Sequence, residues 1–294
     1  MNTGPDGKNL ITPVEARLVE KAVYEACDGL DGLEDGLISD PHACRFDPAV
    51  LACEGDKRTD CLSAEQVKAL KAFYGGPRNS AGEPLFPGVP FGSEPYWGFL
   101  IGATGEASDD FAVLLGANFL HYLAFREDPG EHYTILDFDL DDDPPLLEYM
   151  AQFYNADAPN LEAFRKRGGK LLRWHSWADA TIPPAASIAY YEAVENHVGS
   201  REATQEFLRL FLVPGMEHCG FSEGPSITDR GFDPLKALEK WVEQGEAPAS
   251  LLATKTDSTG NILWTRPLCP YPERAVHKGR GDVKDAANFE CVNP

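Results

Sequence analysis

The sequence contains no apolar run near the ~18–20 residues that a membrane-spanning helix needs, so a helical membrane protein is excluded. It is also short of positive charge: 26 Lys and Arg stand against 47 Asp and Glu, a net charge of −21. Nucleic-acid backbones are bound by clustered Lys and Arg, so neither nucleic acid nor a membrane surface is expected as a partner. No CxxC pair occurs, and no cysteine has the close His or Cys neighbours of a zinc site. There is no Gly-rich phosphate loop and no internal repeat. The first residues, Met1-Asn2-Thr3-Gly4-Pro5-Asp6-Gly7, carry neither the basic nor the apolar region of a signal peptide.

What is present is a chain of 294 residues, 43% hydrophobic, enough for one large core or two smaller ones. Seven cysteines occur, and Cys27, Cys44, Cys53 and Cys61 cluster in turn-rich Gly, Pro and Asp sequence. That pattern reads as a disulfide framework, the mark of an exported protein. Disulfides without an export signal, and an odd cysteine without a partner, lead to the expectation of a secreted protein whose N-terminal part is missing here.

Hydrophobic periodicity divides the chain. Val14, Leu18, Ala22 and Ala26 lie on one stripe of a helix over 14–27. Residues 28–62 read as loop. Ser63 with Gln66 three residues on is a capping box opening a second helix. A short helix is expected around Tyr96–Ile101 and another over about 108–127, followed by the acidic run Asp137–Asp143, read as a solvated turn. Beyond Gly168 the spacing predicts a strand at Lys170–His175, a helix at Pro184–Val194, a strand at Phe207–Val213 and a helix at Pro234–Gln244 ended by Gly245. Strand, helix, strand, helix is an α/β pattern. A boundary is therefore placed near 165, with an irregular disulfide-bearing domain over 1–165 and α/β sequence over 166–294.

Asp179 and His218 each lie just beyond a predicted strand, in Trp174-His175-Ser176-Trp177-Ala178-Asp179 and Pro214-Gly215-Met216-Glu217-His218-Cys219. Loops after parallel strands are where α/β enzymes place catalytic groups, and an acid followed by a histidine suits the order Ser…Asp…His. Position alone fits two ordinary loop residues as well. His175 is read as a strand-end residue packed near them. Gly220-Phe221-Ser222-Glu223-Gly224 satisfies G-x-S-x-G literally, but Ser222 follows the histidine and lacks the strand-to-helix context of a nucleophile elbow. Ser176 fares no better. In the acidic loop, Asp28, Asp31 and Asp35 alternate with Gly29, Gly32 and Gly36. Such a loop suits calcium, which takes six to eight oxygen ligands, though by spacing alone it suits a solvated acidic turn better. Tyr96, Trp97, Phe99 and Leu100 read as core or as an aromatic wall for a phenolic ligand.

Several segments together resemble the tannase and feruloyl esterase family: Gly168-Gly169-Lys170-Leu171-Leu172, His175–Asp179 with Ile182-Pro183, Tyr190-Tyr191, Pro214–Cys219, Trp241–Pro248 and Arg266–Pro272. The upstream stretch Ala26–Gly36 is similar to that family's lid. The resemblance implies an α/β fold: the C-terminal part of an α/β-hydrolase sheet preceded by an irregular, disulfide-bearing lid domain. It implies cleavage of small aromatic ester substrates, with Asp179 orienting His218 as general base towards a serine. It further implies one structural Ca²⁺ held by Asp28, Asp31 and Asp35 with the backbone carbonyls of Leu33 and Leu37. Pairing of Cys27 with Cys44, Cys53 with Cys61 and Cys269 with Cys291 is implied too. Cys219 is left unpaired, because its family partner adjoins the serine in a Cys-Ser-x-Gly-Gly motif that this sequence lacks. The expectation is an ester hydrolase whose nucleophilic half is absent and which is inactive alone. The alternative is a non-catalytic, secreted, calcium-binding protein descended from that family. With half a hydrolase sheet, apolar strand edges and faces should be open.

Overall fold

The computed structural model describes residues 2–4, 6–102, 110–222 and 224–293; the start of the helix expected from 108 lies outside them. The chain forms two compact units, neither continuous in sequence. The first holds residues 1–21, 47–89 and 94–158, and the second residues 22–46, 90–93 and 159–294. Residues 22–46, which carry the acidic loop, thus group with the α/β sequence rather than with the rest of 1–165.

The first unit is helical. Helix α1 (Pro13–Cys27) begins where the Glu15 carboxylate accepts the Thr12 backbone N–H at 3.1 Å. It gives residues 13–21 to this unit. Helix α2 (Ala64–Gly75) opens on the expected capping box: the Ser63 hydroxyl accepts the Gln66 N–H while the Gln66 side chain accepts the Ser63 N–H. Each satisfies an N–H that helix geometry leaves without a partner. Short α3 (Gly98–Ile101) follows Trp97, whose ring is fully buried against Phe73 at 5.4 Å and Tyr74 at 5.6 Å. Trp97 is therefore core, while Tyr96, Phe99 and Leu100 are half-buried. Helix α4 (Phe111–Phe119) runs on into one π-turn over Leu120–Ala124, and α5 (Pro144–Tyr154) was not anticipated. The acidic run before α5 is a turn, with Asp139 accepting the Asp141 and Asp142 N–H groups.

In the second unit α6 (Glu162–Lys166) precedes β1 (Leu171–Ser176). Helices α7 (Pro184–Val198) and α8 (Arg201–Gln205) then lead to β2 (Leu208–Val213). The two strands pair in parallel, Leu171 opposite Leu208 through Ser176 opposite Val213. Helix α7 starts with Pro184, whose missing N–H costs nothing there, and stops at Gly199 with φ +94°. Strand β2 alternates with the period of two that strands impose. Leu208, Leu210 and Leu212 pack with Trp177, Ile188, Tyr191 and Val194, whereas Phe211 and Val213 pack with Met216, Ile227, Phe232 and Leu251. Full burial of each such Leu contributes about 1.5–3 kcal/mol. Strand β1 differs: five of its six residues are only half-buried, as expected of a strand with β2 along one edge alone.

Helix α9 (Pro234–Gln244) is capped by the Asp233 side chain at the Lys236 N–H and ends on Gly245. Two antiparallel hairpins follow, β3 (Leu251–Thr256) with β4 (Ile262–Leu268) and β5 (Arg274–His277) with β6 (Phe289–Val292). The disulfides are Cys27–Cys44, Cys53–Cys61 and Cys269–Cys291, leaving Cys219 free and exposed. Among the described residues no helix is long and apolar enough to cross a membrane.

Candidate active site at the ends of the parallel strands

Both chains of residues leaving the parallel strands are fastened to each other. The Trp177 N–H donates to the Val213 carbonyl at 2.8 Å and the Ala178 N–H to the Met216 carbonyl at 2.9 Å. The Ser176 hydroxyl donates to the Glu217 carbonyl at 2.7 Å, so Ser176 is a strap between the two loops. Ser222 lies in irregular chain, with no strand before it and no helix directly after it among the described residues; Glu223 of its motif lies outside them. Ser176 thus gives its proton to that strap, and Ser222 lacks the strand-to-helix setting of a nucleophile elbow.

Strapping brings Asp179 to His218 although 39 residues separate them: His218 Nδ1 lies 3.0 Å from Asp179 Oδ2. Asp179 is 3% exposed and its carboxylate is saturated. Oδ1 accepts the Thr181 and Ile182 backbone N–H groups at 2.9 and 2.8 Å. Oδ2 is shared between His218 and His175, whose Nε2 approaches to 3.2 Å. Burial works to raise the Asp179 carboxyl, but the hydrogen bonds from His175, Ile182 and His218 outweigh it and hold it below its ordinary value. Glu217 is pushed up instead, by burial and by the Asp179 charge.

Donation of its Nδ1–H to a buried carboxylate leaves the His218 Nε2 lone pair to act as a base. The His218 side chain is 38% exposed. Cys219, the next residue, sits at φ +55°, a left-handed conformation unusual outside glycine. The sequence placed His175 near this pair as a packed strand-end residue, but not its hydrogen bond to Asp179. The only signal of that bond was the four-residue spacing within one motif.

The acidic loop belongs to the same unit. Asp28 accepts the N–H groups of Asp35, Gly36 and Leu37 at 3.0–3.3 Å. Asp31 accepts that of Leu33 at 2.9 Å, and Asp35 pairs with the Arg266 guanidinium at 2.7 Å. Burial pushes the Asp31 carboxyl up. The donor set is oxygen-rich, as calcium requires. The carboxylates are nonetheless turned to backbone amides and to Arg266. Among the described residues no three His, Cys, Asp or Glu side chains come together as a metal-holding group. The loop as it stands is an acidic fold closed on its own amides.

A cavity of about 370 Å³ lies in this unit, with His42, Trp177, Arg266, Tyr271 and Arg274 among its lining residues. The His42 ring meets Trp177 edge-on at 5.1 Å. Arg274 is paired with Asp40 at 3.3 Å, so much of the cavity's charge is already neutralised.

The family model described as tannase and feruloyl esterase matches residues 1–292. A mono(2-hydroxyethyl) terephthalate hydrolase of Piscinibacter sakaiensis is 35% identical over 95% of this chain and 52% of its own length. A probable feruloyl esterase of Arthroderma benhamiae is 35% identical over 92% of this chain and 51% of its own. The crystal structure of feruloyl esterase B from Aspergillus oryzae superposes with a TM-score of 0.77 at 27% identity, over 96% of this chain and 57% of that one. The chain spans about half the length of the curated relatives it matches. Its α/β fold is that of the esterases it superposes on, and the chain belongs to the tannase and feruloyl esterase family.

Proposed function

We propose that this chain carries the acid and the base of a serine-dependent carboxylic ester hydrolase for esters of aromatic acids. The observation that supports this most is the Asp179–His218 contact at 3.0 Å, set where two parallel strands end, with every remaining Asp179 lone pair already engaged. In such a site His218 Nε2 takes the proton of a serine hydroxyl as the oxygen attacks the ester carbonyl. It then returns that proton to the departing alcohol. Asp179 stays ionised throughout, holds the ring and stabilises the imidazolium.

The serine, on this reading, comes from polypeptide outside these 294 residues. No Cys-Ser pair occurs in the sequence, Ser176 donates to the Glu217 carbonyl, Ser222 lacks a strand-to-helix turn, and Cys219 is free beside His218. The chain by itself should not hydrolyse methyl ferulate or a gallate ester above background. Hydrolysis by the purified chain that disappears in His218→Ala would refute this. Where the reading frame continues upstream through a Cys-Ser-x-Gly-Gly segment, its whole product should hydrolyse those esters. Asp179→Asn should then cost about 10⁴-fold in kcat and His218→Ala about 10⁶-fold.

Two further properties belong to this proposal. Export is supported by the three disulfides, which persist in oxidising compartments. Calcium binding by Asp28, Asp31 and Asp35 with the carbonyls of Leu33 and Leu37 is supported by the donor chemistry alone. It requires Asp28 or Asp35 to exchange its present partners for the ion.

A further inference from the structure

His175 makes three polar contacts, and together they fix which of its nitrogens carries a proton. Nε2 lies 2.9 Å from the Ile182 carbonyl oxygen, which can only accept, so Nε2 is protonated. That same N–H is shared with Asp179 Oδ2 at 3.2 Å. Nδ1 faces the Ser187 hydroxyl at 2.7 Å. Ser187 Oγ in turn accepts a hydrogen bond from Arg173 Nη2 at 3.1 Å, which leaves its own proton free for His175 Nδ1. Arg173 is itself held with its guanidinium over the Tyr190 ring, 4.7 Å from the centroid. Every group along this path has one consistent hydrogen-bond direction, from Arg173 through Ser187 and His175 to Asp179.

We propose that Arg173, Ser187 and His175 form a fixed relay behind the acid, making His175 a positioning residue for the Asp179–His218 pair. This rests on the reading of Asp179 and His218 as acid and base. The relay does two things. It ties the end of β1 to the loop over 179–182, because one N–H of His175 bridges Asp179 and the Ile182 carbonyl. It also fills the Oδ2 position beside His218, so the carboxylate cannot rotate to offer His218 a different oxygen. Three of the four donors to Asp179 come from residues 175–182, and the acid is therefore set before His218 engages it. A histidine that merely packed at a strand end would not need a hydroxyl partner supplied by α7 and oriented by a half-buried arginine.

The test is long-range ¹H–¹⁵N spectroscopy of the histidine rings in the labelled chain, which needs no turnover. In the native chain His175 is expected as the Nε2–H form and His218 as the Nδ1–H form, with an observable Hδ1 resonance. In His175→Phe the His218 Hδ1 resonance should be lost. His175→Gln, whose amide N–H reaches towards the same acceptors, should restore it. Ser187→Ala should leave His218 in place and His175 in the Nε2–H form, since Ile182 and Asp179 still accept there, but move the His175 Nδ1 resonance to that of a lone pair without a donor. An unchanged His218 Hδ1 signal in a folded His175→Phe would overturn the proposal, as would His175 found in the Nδ1–H form. Should His175→Phe fail to fold by circular dichroism, Ser187→Ala decides: an unchanged His175 Nδ1 resonance there refutes the relay. These signals are independent of the ester-hydrolase reading. Hydrolysis insensitive to Asp179 and His218 would sink that reading and leave the ring tautomers as they are.

Discussion

Replacing Asp179 by Asn changes one atom and should disturb four hydrogen bonds unequally. The Asn side-chain oxygen can keep the Thr181 and Ile182 N–H groups that Asp179 Oδ1 accepts at 2.9 and 2.8 Å. The new NH₂ group then faces His218 Nδ1–H at 3.0 Å and His175 Nε2–H at 3.2 Å, donor against donor. His175 Nε2–H keeps the Ile182 carbonyl at 2.9 Å, so only the partly exposed His218 N–H loses its acceptor, and a loss of roughly 1–2 kcal/mol is expected. His218 can relieve its share by moving its proton to Nε2, which removes the base. The assay is urea unfolding followed by tryptophan fluorescence, apt because Trp174, Trp177, Trp241 and Trp264 lie in the second unit and only Trp97 in the first. The pH dependence has a definite sign. The folded Asp179 carboxyl lies below its ordinary value of 3.8, so its contribution is complete above the unfolded-state value and is lost as pH falls through the folded one. The gap between native and Asn chains should therefore narrow below about pH 4. A change under about 0.5 kcal/mol at pH 7, with both histidine tautomers intact, would refute the reasoning.

Three other perturbations follow from the second unit. Gly215→Ala should destabilise it by about 2 kcal/mol or more, because φ is +65° and the added Cβ would stand 2.6 Å from Leu37 Cδ2; a thermal melt checks this. Replacing both Cys269 and Cys291 by Ala releases a loop closed across 22 residues and should cost about 3 kcal/mol, read as a lower urea midpoint with a slope that rises as the unlinked denatured chain exposes more surface. Saturating calcium, at about 100 times its Kd, should stabilise the second unit by about 2.7 kcal/mol and EDTA should remove that gain. A melting temperature indifferent to both would end the calcium reading, and Asp28→Ala should abolish any shift that is seen.

The sequence by itself determined what short-range chemistry determines. The capping box at Ser63 and Gln66, the Pro234–Gln244 helix ended by Gly245 and the apolar Phe207–Val213 strand were all legible. In each, the partners lie within a few residues and the period is set by one element. Asp179 and His218 were legible as residues following two strands, and the family motifs carried their pairing. The hairpins β3–β4 and β5–β6 were not legible, since their strands are short and their apolar pattern is broken by Lys, Arg and Pro. Nor was the place of residues 22–46. Arg266 reaches Asp35 across 231 positions, Arg274 reaches Asp40 across 234, and Leu37 fills the space that Gly215 leaves open. His175 is the sharpest case. Its spacing from Asp179 was visible, but its hydrogen bonding depends on Ser187 from one helix, Arg173 from its own strand and a carbonyl at Ile182. Only folding brings those three to one ring, because a hydrogen-bond direction belongs to a set of contacts and not to a residue type.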